Sequence, residues 1–261
     1  MNRLEKNNKI NTMILCAGRG QRMGYKTKYI AKPLIKIQNR SILKTNINYL
    51  TSIGIKNCII NNSYKYITIQ KFIKNYSYKY AKPKMYSSFE KERLETGGGV
   101  KKALPLFDKN KMLIINGDSL LLRKEHLCPV KKLLKNFNSD YMSILLLLSP
   151  VNKTIGYYGR GDFIIKSRSV SSRIERKKNN TSNKSFVFTG WQIIKKEIFN
   201  EIKKDNFSLN LLYNKAEFEK SLFAITLDGY FLHVSTPKSI MQIERFLNVN
   251  KKYLNEKNYI L

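Results

Sequence analysis

Short apolar runs separated by helix-length segments of mixed polarity constrain this chain more than any other feature. Thr12–Cys16, Asn57–Asn61, Met112–Asn116 and Met142–Leu148 are each about as long as one strand and carry apolar residues on both faces. Strands of that kind belong to a parallel sheet covered on both sides. The intervening segments read as helices. Ser41–Gly54 has Ser41 as N-cap and Gly54 as stop. Tyr66–Tyr76, Gly99–Phe107 (limited by Pro105) and Lys124–Phe137 follow. This alternation predicts an α/β fold with a mostly parallel central sheet and helices on both faces.

The style changes after Pro150. Phe163–Ile165 and Val170–Ile174 resemble strands of a β-rich insertion, and the basic, Asn-rich Arg176–Lys184 reads as an exposed loop. Phe186–Ile194 is strand-like, and Lys195–Lys204 and Leu209–Phe218 read as helices. Asp228-Gly229 is a hairpin signal that would pair Leu222–Leu227 with Tyr230–Val234. A helix over Pro237–Leu247 closes the pattern, with Pro in its first turn.

Bulk properties exclude several classes. No apolar run approaches the roughly 18–20 residues of a membrane helix. The polar start, Met1–Asn11, lacks the apolar core of a secretory signal. Cys16, Cys58 and Cys128 lie far apart without CxxC spacing, which argues against a disulfide framework or zinc site and for a cytoplasmic setting. The net charge of +31 raises nucleic-acid binding. Its lysines are spread along the chain, however, within a composition rich in Lys, Asn, Ile and Tyr, so no specific nucleic-acid partner is expected. The charge would still attract anionic substrates.

Three segments carry chemistry. The first strand runs into Leu15-Cys16-Ala17-Gly18-Arg19-Gly20-Gln21-Arg22-Met23-Gly24, a glycine-rich turn whose N–H groups can approach phosphate oxygens. It is neither a Rossmann fingerprint, since Met23 stands where the third glycine would fall, nor a Walker A loop. Arg19, Arg22 and Lys32, the last held by Pro33, supply positive charge. Leu94-Glu95-Thr96-Gly97-Gly98-Gly99 puts bare backbone before an expected helix. Met112–Asp118 is an apolar strand ending in a carboxylate, where open α/β sheets bind ligands, and a hard oxygen there suits Mg²⁺.

These segments, in this order, resemble the family of nucleotidyltransferases that activate sugar 1-phosphates. LCAGRGQRM resembles the family's L-A-A-G-x-G-x-R-M loop, AKPL its P-K-P-L motif, and INGD its metal-binding strand end. LETGGGVKKALPLF, Gly159-Arg160-Gly161-Asp162-Phe163, Phe188-Thr189-Gly190 and VSTPKSI are similar to segments of the N-acetylmuramate α-1-phosphate uridylyltransferases of peptidoglycan recycling. The resemblance implies one Rossmann-like nucleotidyltransferase domain over 1–261, with a core of about 12–247 and no C-terminal β-helix. It implies UTP and N-acetylmuramate 1-phosphate as substrates and Mg²⁺ as cofactor. By position it assigns Ala17, Gly18, Gly20, Gly97 and Gly98 to the nucleotide, and Arg22, Lys32 and Asp118 to catalysis, with Asp118 on the metal. Gly159, Glu175 and Gly190 would face the sugar. His233 stands where the family places a second metal-binding Asp, and so is a further metal-side candidate. His126, on the expected fourth helix, reads as a bystander.

Gly18, Arg22, Lys32, Gly98 and Asp118 are therefore expected to converge on one cleft at the C-terminal ends of parallel strands. Two other readings compete. One is a sibling activity, such as a mannose-1-phosphate guanylyltransferase or a phosphocholine cytidylyltransferase. The other is a non-catalytic descendant that binds nucleotide or RNA through its basic surface.

Overall fold

The structure, a computed structural model, describes residues 10–165, 171–177, 185–257 and 259–261. Val170 and most of the expected loop Arg176–Lys184 lie outside the described residues, as do the first nine. The chain forms two compact units, one of residues 1–118 and 194–212, the other of residues 119–193 and 213–261.

The first unit is a parallel α/β layer. Its strands are β1 (Asn11–Leu15), β2 (Asn57–Asn62), β3 (Lys84–Phe89) and β4 (Lys111–Asn116), in the order β4-β1-β2-β3. Every pairing among them is parallel. Met13, Ile14, Ile60 and Leu113–Ile115 are fully buried, so both faces of the sheet are covered. Each such side chain contributes roughly 1.5–3 kcal/mol by leaving water. Helices α1 (Ile42–Ser52), α2 (Tyr66–Lys79) and α3 (Glu95–Ala103) connect the strands. The Ser41 hydroxyl caps α1 by accepting from the Lys44 N–H at 3.3 Å.

The second unit holds β5 (Ser119–Lys124), α4 (Pro129–Asn136), β6 (Ile144–Pro150), β7 (Phe163–Ile165), β8 (Ser172–Arg176), β9 (Ser185–Lys195), β10 (Leu222–Thr226), β11 (Gly229–His233) and α6 (Pro237–Val249); α5 (Asn210–Phe218) starts in the first unit. One sheet runs β7-β8-β10-β6-β9, with β6 and β10 parallel and β8 antiparallel to β10. In a second sheet, β11 pairs antiparallel with β5. Thr236 and Ser239 cap α6 reciprocally behind Pro237.

Several sequence expectations need correction. The Asp228-Gly229 hairpin does not form, because β10 and β11 join different sheets. β10 is buried on both faces and slots between β6 and β8, while a Cβ on Gly229 would run into the Leu122 carbonyl of β5. The helix expected over Lys124–Phe137 begins only at Pro129, and the apolar residues before it form β5. His126 therefore sits in an exposed turn. The Lys195–Lys204 helix is one 3₁₀ turn, Lys196–Phe199, which seats Ile198 and Phe199 in the core. The helix expected from Gly99 starts at Glu95, so the three glycines lie inside it. Their low helix propensity is overridden by close packing. A Cβ on Gly98 would collide with the Asp205 carbonyl, and one on Gly97 with the Phe207 ring.

Candidate functional site

The ends of β1, β2 and β4 lie in one row, because Leu15 pairs with both Asn61 and Asn116. A cavity of about 180 Å³ opens beyond this row, and all of its lining residues belong to the first unit. Cys16, Ala17 and Gly18 form one wall. The Cys16 N–H donates to Asn61 Oδ1 at 2.7 Å, which pins the loop to β2. Gly18 is exposed, and a Cβ there would meet no protein atom within 4 Å. Among the described residues no packing contact requires glycine at this position, and its missing side chain leaves open space at a residue that lines the cavity.

Gly117 brings the next strand end against this loop. Its N–H donates to the Leu15 carbonyl at 2.9 Å, and any Cβ would meet that oxygen at 2.5 Å. Asp118 therefore follows at the cavity wall. Lys32, 8% exposed, starts a short 3₁₀ turn with Pro33. Its Nζ lies 2.5 Å from Asp118 Oδ2, the closest ion pair in the cavity. Gly20 adopts φ +64°, which few other residues adopt, and a Cβ there would press on the Lys32 side chain at 3.0 Å. Gly20 thus shapes the loop around Lys32 and lies outside the cavity lining.

The structure brings Ala17, Gly18, Lys32 and Asp118 together in this cavity. Arg22 is exposed on the 3₁₀ turn Gln21–Thr27, anchored by fully buried Met23, and does not line it. Gly97 and Gly98 sit behind the wall and donate their N–H groups to the Phe207 carbonyl, while their neighbours Glu95 and Thr96 face the cavity.

The remaining predicted residues belong to the second unit. Gly159 and Gly161 lie in a loop built on Tyr157, whose hydroxyl accepts from the Gly161 N–H at 3.2 Å. Asp162 fastens that loop to β9 by accepting from the Phe188 N–H at 2.8 Å. Gly190 takes φ +82° within β9, and Glu175 points outward from β8. His233 ends β11 opposite Ser119, its ring edge-on to those of Tyr157 and Phe231 at 5.4 and 5.6 Å between centroids.

Sequence reasoning missed Asn61, Glu90, Arg93, Glu95 and Thr96 as lining residues. Glu90 follows β3, a strand whose mixed Lys-Met-Tyr-Ser-Ser-Phe composition gave no apolar signal. Burial raises the Glu90 carboxyl above its ordinary value, against hydrogen bonds from Asn61 and Leu94 that lower it. Burial likewise holds the Cys16 thiol well above its ordinary value, so it is protonated and no nucleophile.

Among the described residues no cluster of three or more His, Cys, Asp or Glu gathers to hold a metal. Asp118 offers a partly exposed carboxylate in the same cavity as the glycine-rich loop. That donor set fits a hard cation that takes most of its oxygens from substrate phosphates and water, as Mg²⁺ does.

The chain is 24% identical to N-acetylmuramate alpha-1-phosphate uridylyltransferase of Caulobacter vibrioides, over 89% of this chain and 94% of that protein. It is 27% identical to D-glycero-alpha-D-manno-heptose 1-phosphate guanylyltransferase of Aneurinibacillus thermoaerophilus, over 91% and 98%. The crystal structure of HddC from Yersinia pseudotuberculosis shares the fold, with a TM-score of 0.69 at 24% identity over 91% of this chain and 99% of that one. The family model for nucleotidyl transferases matches residues 11–247. With the glycine loop, Lys32 and Asp118 all inside that span, the chain belongs to the nucleotidyl transferase family.

Proposed function

We propose that this protein joins the nucleotidyl group of an NTP to a sugar 1-phosphate and releases pyrophosphate, with UTP and N-acetylmuramate 1-phosphate as the primary pair. An oxygen of the sugar phosphate attacks the α-phosphorus. The bond from that phosphorus to the bridging β-phosphate oxygen breaks, and its electron pair leaves with pyrophosphate. One observation carries the reading: the Lys32–Asp118 pair stands in the same cavity as the unobstructed Gly18 backbone. The loop N–H groups orient the phosphates, and the Lys32 ammonium meets the charge that builds on the oxygens around the α-phosphorus. Asp118 is the residue to hold Mg²⁺, which when bound would neutralise phosphate charge. Arg22 supplies further positive charge beside the loop.

Residues 12–247 serve in this reading as one catalytic domain, supported by a family match that spans residues 11–247. For the second unit, the family resemblance supports sugar contacts at Gly159, Glu175 and Gly190 and a metal-side role for His233. The setting is the cytoplasm, where NTPs are supplied and the free cysteines Cys16, Cys58 and Cys128 stay reduced. Peptidoglycan-sugar recycling is the corresponding pathway. Among the described residues no helix is long and apolar enough to cross a membrane.

Guanylyl transfer is the second reading. It is favoured by the similarity to the heptose guanylyltransferase over nearly its full length, and by the HddC crystal structure complexed with GMP-PN.

Lys32→Ala tests the proposal. Pyrophosphate release from UTP and N-acetylmuramate 1-phosphate should fall by about 10²–10³-fold, the usual cost of removing one transition-state charge partner. Unchanged turnover would overturn it.

A further inference from the structure

Apart from Glu5, every Asp and Glu of the chain lies at Glu90 or beyond. Lysines run through the whole sequence, but carboxylates are missing from the stretch that builds β1, β2, β3, α1 and α2. A drift in composition acts on the entire chain, so it does not account for a gap confined to one part. The surface formed by this stretch has no carboxylate of its own to offset its lysines.

Two exposed pieces of that surface meet. The segment after the glycine-rich loop reads Tyr25-Lys26-Thr27-Lys28-Tyr29, with its two rings 72% and 73% exposed. Each ring has an ammonium beside it. Lys26 Nζ lies 5.3 Å from the centre of the Tyr25 ring, and Lys28 Nζ 5.4 Å from that of Tyr29. The segment is fastened to the start of α2. There the Tyr64 hydroxyl donates to the Thr27 carbonyl at 3.2 Å, and the Ala31 N–H donates to Thr68 Oγ1 at 3.2 Å. α2 buries Ile69 and Tyr76 on its inner side. Its outer side shows Ile67, Gln70, Lys71, Lys74 and Tyr78 to solvent at helical spacing, a stripe about 16 Å long.

Exposed rings interleaved with ammonium groups match a single-stranded nucleic acid, whose bases stack on the rings while its phosphates meet the lysines. A duplex keeps its base faces covered. A membrane fits less well. A helix lying in a bilayer surface needs a wide apolar face, whereas α2 turns its apolar side inward and shows Gln70, Lys71 and Lys74 outward. We propose that the Tyr25–Tyr29 segment and the outer side of α2 form a sequence-independent docking surface for single-stranded RNA. The tyrosine hydroxyls can also hydrogen-bond the ribose 2′-OH, which selects RNA over DNA. This surface is a second binding function, and it stands or falls separately from the nucleotidyl-transfer reading.

The test is fluorescence anisotropy of a short labelled oligo(U) strand, titrated with the full chain over a salt series. Log affinity should fall linearly with log salt, with a slope of about −2 to −3.5 for three to five lysine contacts. Tyr25→Ala with Tyr29→Ala should weaken binding roughly 10- to 100-fold while keeping the slope. Lys71→Ala with Lys74→Ala should weaken binding and make the slope shallower by about 1.4. The lysine pair is exposed on the helix, so it carries the test even if the tyrosine pair lowers Tm. Lys251→Ala with Lys252→Ala, exposed lysines of the second unit, is the control and should leave the affinity within about twofold. An equal loss in that control would make the attraction diffuse and overturn the proposal. So would equal affinity for the matched oligo(dT) strand or for an RNA duplex. Binding to phosphatidylserine vesicles without binding to oligo(U) would assign the face to a membrane and overturn it as well.

Discussion

Gly18→Ala and Gly98→Ala make the same chemical change with opposite consequences. At Gly18 the new methyl meets no protein atom within 4 Å, and φ is not in the left-handed region. The folded state accommodates it, and the unfolded chain loses freedom, a gain of about 0.4–1 kcal/mol. For a chain of this length that leaves Tm unchanged or raises it by about 1–4 °C. The methyl instead fills space in the cavity and moves the phosphates by about 1 Å, which lowers kcat/KM by on the order of 100-fold, or about 2.7 kcal/mol. At Gly98 the methyl runs into the Asp205 carbonyl and the Leu94 side chain. Overpacking of that kind costs about 1–3 kcal/mol, so Tm falls by several degrees. Gly98→Ala should keep most of the wild-type kcat/KM in its folded fraction. Differential scanning fluorimetry and continuous pyrophosphate release measure both quantities on the same samples. Wild-type kcat/KM in Gly18→Ala would refute the phosphate-loop reasoning, and wild-type Tm in Gly98→Ala would refute the packing reasoning.

Asp118→Asn should shift the Mg²⁺ titration of turnover to higher concentration, and an identical titration curve would remove Asp118 from the metal. Glu90→Gln should raise Tm at neutral pH, because burial penalises the ionised carboxyl and lifts it above its ordinary value. That gain should shrink as pH falls through the raised value and vanish below the ordinary glutamate value of about 4.3, where the wild-type carboxyl is protonated in both states; a pH-independent difference would contradict it. His233→Asp should keep or raise Mg²⁺-dependent turnover and His233→Ala should lower it. If His233→Ala changes Tm alone, through its contacts with the Tyr157 and Phe231 rings, the residue is a packing element.

Much of the first unit was legible because its strands are apolar on both faces and end in recognisable chemistry. Leu15, Asn61 and Asn116 pair across the C-terminal ends of β1, β2 and β4, and Lys32-Pro33 and Asp118 line the cavity there. β3 was not legible: its composition is mixed and its burial partial, so Glu90 went unread. Gly97 and Gly98 were read as bare backbone before a helix starting at Gly99, whereas the helix starts at Glu95. The chain at Asp205–Phe207, more than a hundred residues on, leaves no room for a side chain at Gly97 and Gly98, and Glu90 and Asn61 leave none at Gly99. β10 and β11 carry a strong local turn signal, yet their partners, β6, β8 and β5, are far away in sequence. Local pattern cannot see such partners.

The central claim is that this chain couples an NTP to a sugar 1-phosphate. Its most direct test is pyrophosphate release by the wild-type protein with UTP, GTP, CTP or dTTP, each paired with N-acetylmuramate 1-phosphate, mannose 1-phosphate or no acceptor. The account predicts release that requires both substrates and is fastest with UTP and N-acetylmuramate 1-phosphate, with GTP and a sugar 1-phosphate as the second reading. Release that ignores the acceptor, or no release with any pair, would contradict it.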